Sequence, residues 1–212
     1  MRMRRVLIAV AVTVTLGLAS ASPVLAAPDA LFALMQRWEN VEYRMQGDAR
    51  LQAFESLSHE IDSLAQTHGS DSHVLTAKGV VLASYARAKG GLGALDLAKR
   101  ARAALERAIE IDPAGESGAA YVTLGALYQH APGWPIGFGD DEKAGQLLKK
   151  AVDIRPDGID TNFYYAQYLE DQGEHAAARQ YARLAVDGRP REGKASDEAL
   201  RRQAEAWLVN HP

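Results

Sequence analysis

The 212-residue chain contains no cysteine, and this absence excludes several kinds of structure and chemistry. The protein can form no disulfide bond, no thiolate metal site and no cysteine nucleophile. Without a cysteine after the apolar N-terminal segment, the chain also cannot carry the lipid anchor of a bacterial lipoprotein. Its stability must therefore come from the packing of its side chains.

Recognisable catalytic motifs are lacking too. Six histidines are scattered through the chain, and none forms a His-Glu-x-x-His zinc motif, because Ser63 stands where a second histidine would follow His59. His68 and His73 flank a predicted turn, where either a shared metal ion or two solvated side chains fits the pattern. There is no Gly-x-Ser-x-Gly motif, and a solvated helix end explains Glu170 and Asp171 more simply than an acid and base pair. We predict that the protein is not an enzyme and that it binds no metal and no cofactor.

Alternating Val, Ile and Thr stretches typical of β-strands are also missing. From residue 29 onward Ala, Leu, Glu and Arg recur with helical periodicity, and cap residues and glycines mark the helix ends. The sequence therefore predicts an all-α protein. Its predicted helices span 29–45, 48–67, 71–88, 92–111, 116–129, 140–154, 160–172, 174–186 and 196–209.

The N-terminus has the pattern of a secretory signal peptide. A basic start is followed by an apolar segment at 6–18 and by small residues that fit cleavage after Ala26. An uncleaved membrane anchor is the alternative, although the segment is shorter than the roughly 20 apolar residues of a spanning helix. We predict cleavage of residues 1–26, a periplasmic or secreted protein, and no membrane anchor after cleavage.

The charge balance argues against two classes of partner. The full chain has 24 basic and 27 acidic residues, and cleavage removes three arginines and no acid, so that the mature net charge is −6. A nucleic-acid or anionic-membrane partner is therefore not expected.

Three predicted helices run into a charged segment that ends in proline, at Pro113, Pro156 and Pro190. The last two prolines lie 34 residues apart, which is the period of the tetratricopeptide repeat (TPR). Small residues, which let two helices cross closely, recur at equivalent positions before each proline. They are Ala101, Ala108, Ala144, Ala151, Ala178 and Ala185.

The first helix of each pair carries a complementary signal. Leu124-Gly125 with Tyr128 matches the Leu-Gly-x-x-Tyr of the repeat, and Lys78-Gly79 with Leu82 is a looser copy. On these residues the chain resembles the TPR family, with an α-solenoid of about three to four repeats. We predict one domain at 27–212. It comprises a degenerate helix pair at 27–69, three TPR-like repeats at 70–190 and a capping helix within 191–212.

The segment 131–140 and the glycine-rich segment before residue 96 make the chain similar to exported bacterial TPR proteins. More distantly, the chain resembles the periplasmic TPR partner of tripartite ATP-independent transporters. That partner is a lipoprotein, and the missing cysteine departs from its pattern. The resemblance implies a repeat scaffold and not a reaction.

The first helix of each pair lines the concave surface of such a stack. This places a mixed apolar and amide surface, with little positive charge, in a binding groove. The predicted groove residues on these helices are Thr76, Val80, Ser84, Val122, Ala126, Gln129, Phe163, Gln167 and Glu170.

The segment 131–140 departs from the bare repeat because it carries prolines, glycines and three large apolar side chains, Trp134, Ile136 and Phe138. Proline restricts the backbone, so the loop should be stiff. One interpretation packs all three side chains over the neighbouring helices. The other leaves Trp134 and Phe138 at the groove as binding residues. Asp140 is predicted to cap the following helix.

These patterns favour a periplasmic scaffold or adaptor that binds a peptide, a protein segment or a small apolar ligand in its concave groove. The expected partner is a protein or peptide of the cell envelope. The alternative is a structural module that assembles through its end faces or with itself, which Trp207 near the C-terminus motivates. An enzyme with an unrecognised site ranks last.

Overall fold

The computed structural model describes residues 27–211, and this part of the chain folds into nine α-helices. Each predicted helix is present, and the prediction of an all-α repeat solenoid is confirmed. The predicted signal peptide at 1–26 lies outside the described residues. The helices are α1 (Ala27–Arg44), α2 (Gly47–Thr67), α3 (Ser72–Lys89), α4 (Gly91–Ile111), α5 (Ala119–His130), α6 (Asp141–Ile154), α7 (Ile159–Asp171), α8 (His175–Val186) and α9 (Ala195–Asn210).

Consecutive helices pack as hairpins, and the crossings use small residues. The alanines predicted at the crossings are all buried, with exposures of 0% or 1%. A Cβ atom added at Gly79 in α3 would lie 2.3 Å from Leu105 Cγ in α4, and one at Gly125 in α5 would lie 2.6 Å from Leu148 Cγ in α6. The two hairpins therefore share one crossing geometry, in which a glycine faces a buried leucine.

Two helix starts show how local side chains set the boundaries. The Asp140 carboxylate accepts a hydrogen bond from Lys143 N at 3.0 Å, which confirms its predicted role as a helix cap. The sequence predicts that α5 begins at Glu116, but the helix begins at Ala119. The start is later because Glu116 and Ser117 have positive φ angles of 53° and 56°, which are not helical. The Asp112 carboxylate supports the turn before α5 by accepting a hydrogen bond from Ala114 N at 3.0 Å.

The odd-numbered helices form the inner layer of the structure. α1, α3, α5, α7 and α9 contact one another in that order, and each even-numbered helix packs between two consecutive odd-numbered ones. α1 also contacts α9. Across this seam Ser196 Oγ donates to Glu39 Oε1 at 3.0 Å, and Gln36 Nε2 donates to the Gly193 carbonyl at 3.3 Å. The inner layer is therefore a closed ring, and the open groove expected from the sequence is wrong in this respect.

A buried network of two arginines and two aspartates attaches α9 to α7. Asp197, which is fully buried, accepts hydrogen bonds from Arg191 N at 2.8 Å, Nε at 3.0 Å and Nη2 at 2.5 Å. Asp160 at the start of α7 accepts from Arg191 Nη2 at 3.0 Å and also from Arg155. The network holds α9 against α7, on the side of the ring next to the seam. Among the described helices, none is long and apolar enough to cross a membrane.

The glycine crossing predicts a stability change. We expect Gly79→Ala to lower the free energy of unfolding, because an overpacking cost of about 1–3 kcal/mol outweighs the roughly 1 kcal/mol gained in helix propensity. Gly93→Ala in α4 is the control, since its Cβ would face only the flexible Lys89 side chain, at 3.1 Å from Cε. Urea denaturation measures both variants. A Gly79→Ala protein as stable as the wild type would contradict the close crossing.

Candidate functional site

The inner helices line a cavity of about 1150 Å³ that is partly open to solvent. All five inner helices contribute to its wall. Its lining is largely apolar, and polar side chains are grouped at particular places. Apolar lining residues include Leu31, Phe32, Met35, Val80, Ala83, Leu95, Val122, Ala126, Phe163 and Leu200.

Most of the groove residues predicted from the sequence lie in the wall of this cavity. They are Thr76, Val80, Ser84, Val122, Ala126, Phe163 and Gln167. Gln129 and Glu170 instead line a smaller neighbouring cavity of about 300 Å³, beside Trp207 and His211. Gln167 borders both cavities. The structure thus brings the predicted residues to one face, and their role in binding stays a prediction.

The loop 131–140 folds on itself and does not form a wall of the cavity. Gly139 N donates to the Pro132 carbonyl at 2.8 Å, and Asp140 N donates to the Tyr128 carbonyl at 3.0 Å. These hydrogen bonds bring the two ends of the loop together. Of the loop, only Ala131 and Pro132 are among the residues that line the cavity.

The placement of Trp134 and Phe138 in the groove is therefore wrong. The Phe138 ring packs edge-on against Tyr128, with centroids 5.4 Å apart, and the Arg102 guanidinium lies 4.6 Å from its centroid. Trp134 is 90% exposed and Ile136 is 64% exposed. Of the three large apolar side chains in the loop, only Phe138 packs over the neighbouring helices. The closed loop directs Phe138 inward and leaves Trp134 and Ile136 outside.

A polar cluster on the cavity wall was missed by the sequence analysis. Glu42 on α1 accepts a hydrogen bond from Arg50 Nη2 at 3.0 Å and another from Arg87 on α3. Tyr43 on α1 and Tyr164 on α7 line the same cavity as Arg87.

Burial controls the protonation of this cluster. It raises the pKa of both the Tyr43 and Tyr164 hydroxyls, so that each keeps its proton and can donate a hydrogen bond. Burial alone would lower the pKa of Arg87, but Glu42 and the Tyr164 hydroxyl raise it overall. The arginine is therefore permanently charged.

The cavity wall also carries more positive charge than the sequence led us to expect. Arg87, Arg191 and Lys194 all line it. Arg191 and Lys194 belong to the connection before α9, and the packing of α9 against α7 brings them to the inner surface. The groove was predicted from the periodicity of the first helix in each pair. Arg191 and Lys194 lie outside these helices, so that periodicity could not indicate them.

The histidines and acids form local pairs. His73 contacts Glu116, and His175 Nδ1 lies 3.0 Å from Glu170 Oε1. Among residues 27–211 there is no cluster of three or more His, Asp or Glu side chains suited to a metal ion.

Comparison with known proteins supports the fold. No family model and no curated protein sequence matches the chain. The crystal structure of TTC0263, a TPR protein of Thermus thermophilus, matches with 16% identity and a TM-score of 0.58, over 87% of this chain and 100% of that one. The chain has a TPR-like fold. A crystal structure of MamA matches with 15% identity and a TM-score of 0.48, over 76% of this chain and 87% of that one.

The buried network predicts a pH-dependent stability. Burial alone would raise the pKa of Asp197, but the hydrogen bonds from Arg191 lower it overall. The ionised carboxylate therefore stabilises the fold above its unfolded pKa of about 3.9, and this contribution is lost as the pH falls through the lower folded pKa. We expect Asp197→Asn to cost about 3–5 kcal/mol at pH 7 and clearly less at pH 2.

Urea denaturation at both pH values tests this prediction. Asp153→Asn is the matched control, because Asp153 is exposed and pairs only with Lys149 on the surface of α6, so that a change within about 1 kcal/mol is expected. An equal loss of stability in Asp197→Asn at pH 7 and pH 2 would contradict the ionic contribution.

Proposed function

We propose that the protein is a non-enzymatic binding scaffold that holds its ligand inside the closed ring of inner helices. The observation that carries the proposal is the cavity of about 1150 Å³ that these helices line. Small-molecule sites occupy roughly 300–1,000 Å³. The cavity therefore has room for a small apolar ligand or for a short peptide or protein segment.

The composition of the wall supports binding through burial of apolar surface. Each inner helix contributes at least one apolar side chain, for example Leu31 on α1, Val80 on α3 and Phe163 on α7. Removing apolar ligand surface from water is favourable by roughly 25 cal/mol per Å².

The cavity is partly open to solvent, and exposed side chains such as Phe32, Arg87 and Lys194 lie in its wall. A ligand can therefore enter without separation of the inner helices.

A second candidate function is recognition of a protein partner of the cell envelope through the loop 131–140. Trp134, 90% exposed, stands on a loop closed by backbone hydrogen bonds. A tryptophan held in this way can act as an interface anchor at a small entropic cost. Self-association through Trp207 gains less support, because that ring is half-buried and stacks on His211 with centroids 4.0 Å apart.

The same proposal places the protein in the periplasm. The basic start, the apolar segment 6–18 and the small residues before Ala27 support export and cleavage. A periplasmic location also agrees with both groups of proteins that the sequence resembles.

Filling the cavity should prevent binding. Ala126→Trp adds a large side chain to the cavity wall, and we expect it to weaken the binding of Nile red, a neutral apolar dye, by about tenfold or more, which corresponds to roughly 1.4 kcal/mol. Dye fluorescence measures the affinity, and circular dichroism checks the fold. Ala103→Trp on the exposed side of α4 is the control. Equal dye binding by the wild type and both variants, or no binding by any, would exclude the cavity as the site.

Removing the exposed ring should weaken a protein contact. We expect Trp134→Ala to recover less of its partner from a periplasmic extract than the wild type. Leu184→Ala, which removes an exposed apolar side chain of α8 that lines neither cavity, should not. Quantitative mass spectrometry of the captured proteins measures both. Unchanged recovery of the partner by Trp134→Ala would rule out the loop contact.

The periplasmic location has a separate test in cell fractionation. Full-length protein found only in the cytoplasm would rule it out.

A further inference from the structure

The charged groups of the cavity wall are unevenly accessible. Glu39 is 6% exposed, the Glu42 side chain 10% and Asp160 7%. The Arg87 side chain is 57% exposed, and Lys194 is also exposed. Arg87 and Lys194 are therefore more exposed than these three carboxylates, although the chain as a whole is acidic.

Two further carboxylates of the cavity wall, Asp71 and Glu116, interact with His73 at the start of α3. Asp71 accepts a hydrogen bond from His73 N at 2.9 Å, and Glu116 contacts the His73 ring. Both have local partners in the protein. Arg87, by contrast, lines the cavity with more than half of its side chain exposed.

The hydrogen-bonding capacity of Arg87 is not exhausted by the protein. A guanidinium carries five N–H donors, and Arg87 donates from Nη2 to Glu42. Glu42 also keeps a hydrogen bond from Arg50 at 3.0 Å. Arg87 can therefore bind an additional anion while Glu42 remains paired.

The surroundings of Arg87 supply further donors and an apolar path. The hydroxyls of Tyr43 and Tyr164 lie in the same cluster and keep their protons because of burial. The residues of α1 that line the cavity run from Pro28 to Tyr43, which spans about 22 Å at 1.5 Å per residue. Leu31 and Met35 form the apolar part of this stretch. The wall thus combines an elongated apolar surface with a cationic end.

We propose that the cavity binds an amphiphilic carboxylate. Arg87 is the ionic partner of the carboxylate, the hydroxyls of Tyr43 and Tyr164 donate to the same group, and the apolar chain of the ligand lies along α1. This inference rests on the proposed function of the cavity and names the chemical class of its ligand.

Matched probes test the head group. Dodecanoate, dodecanol and dodecyltrimethylammonium share one alkyl chain and carry a negative, a neutral and a positive head group. Each is used below its micelle-forming concentration to displace Nile red from the purified protein. We expect dodecanoate to bind about tenfold or more tightly than the other two, because a charge-assisted hydrogen bond contributes roughly 1.5–3 kcal/mol.

Variants locate the head group. Arg87→Gln should lower dodecanoate affinity about tenfold or more and leave dodecanol affinity unchanged. Tyr164→Phe keeps the ring and should produce a smaller loss for dodecanoate alone. Arg107→Gln is the control, because Arg107 pairs with Glu110 on α4 and does not line the cavity. Circular dichroism and the affinity for dodecanol show whether each variant is folded.

Each outcome decides the inference. Selective binding of dodecanoate that is lost in Arg87→Gln supports it. If Nile red binds in the cavity but the three probes displace it equally, the carboxylate inference is overturned and the cavity function stands. An equal loss of dodecanoate and dodecanol binding in Arg87→Gln also overturns it, because Arg87 then acts on structure and not on the head group. If no apolar probe binds, both proposals fail.

Discussion

Closure of the inner ring depends on the contact between α1 and α9, which lie at opposite ends of the described chain. The Arg191, Asp197 and Asp160 network holds α9 against α7, and from there Ser196 reaches Glu39 on α1. If α9 were displaced, the same four hairpins would form an arc with an open concave face. The difference between an adaptor groove and a cavity within a closed ring therefore depends on one buried ionic network and a short seam.

The buried charges of this structure have more than a stabilising role. Removing an ion pair from water costs free energy that the attraction within the pair only partly offsets. The Asp197 network meets this cost with several hydrogen bonds from one arginine. Glu42, with two arginine partners, keeps Arg87 at the cavity surface. The first arrangement fixes a helix position, and the second presents a charge to a ligand.

Only some features of the loop 131–140 follow from its local sequence. Its stiffness and the capping role of Asp140 follow from residue types that act on their own neighbours. The directions of Phe138 and Trp134 do not, because they depend on where Tyr128 and Arg102 lie once α4 and α5 have packed. The same limit applies to Arg87, whose partner Glu42 lies on α1, 45 residues away in the chain.

The sequence by itself determined the helices, their pairing and the face that each first helix turns inward. These depend on periodicity, on caps and on small residues such as Gly79 and Ala144, and such interactions act within a hairpin. Only the tertiary structure decided that the stack closes on itself, that Arg191 and Lys194 reach the inner surface, and that Trp134 does not. Closure depends on the summed rotation of successive hairpins, in which a small change per repeat moves the chain ends by many ångströms. The other two depend on how neighbouring helices pack, α9 against α7 and α4 against α5.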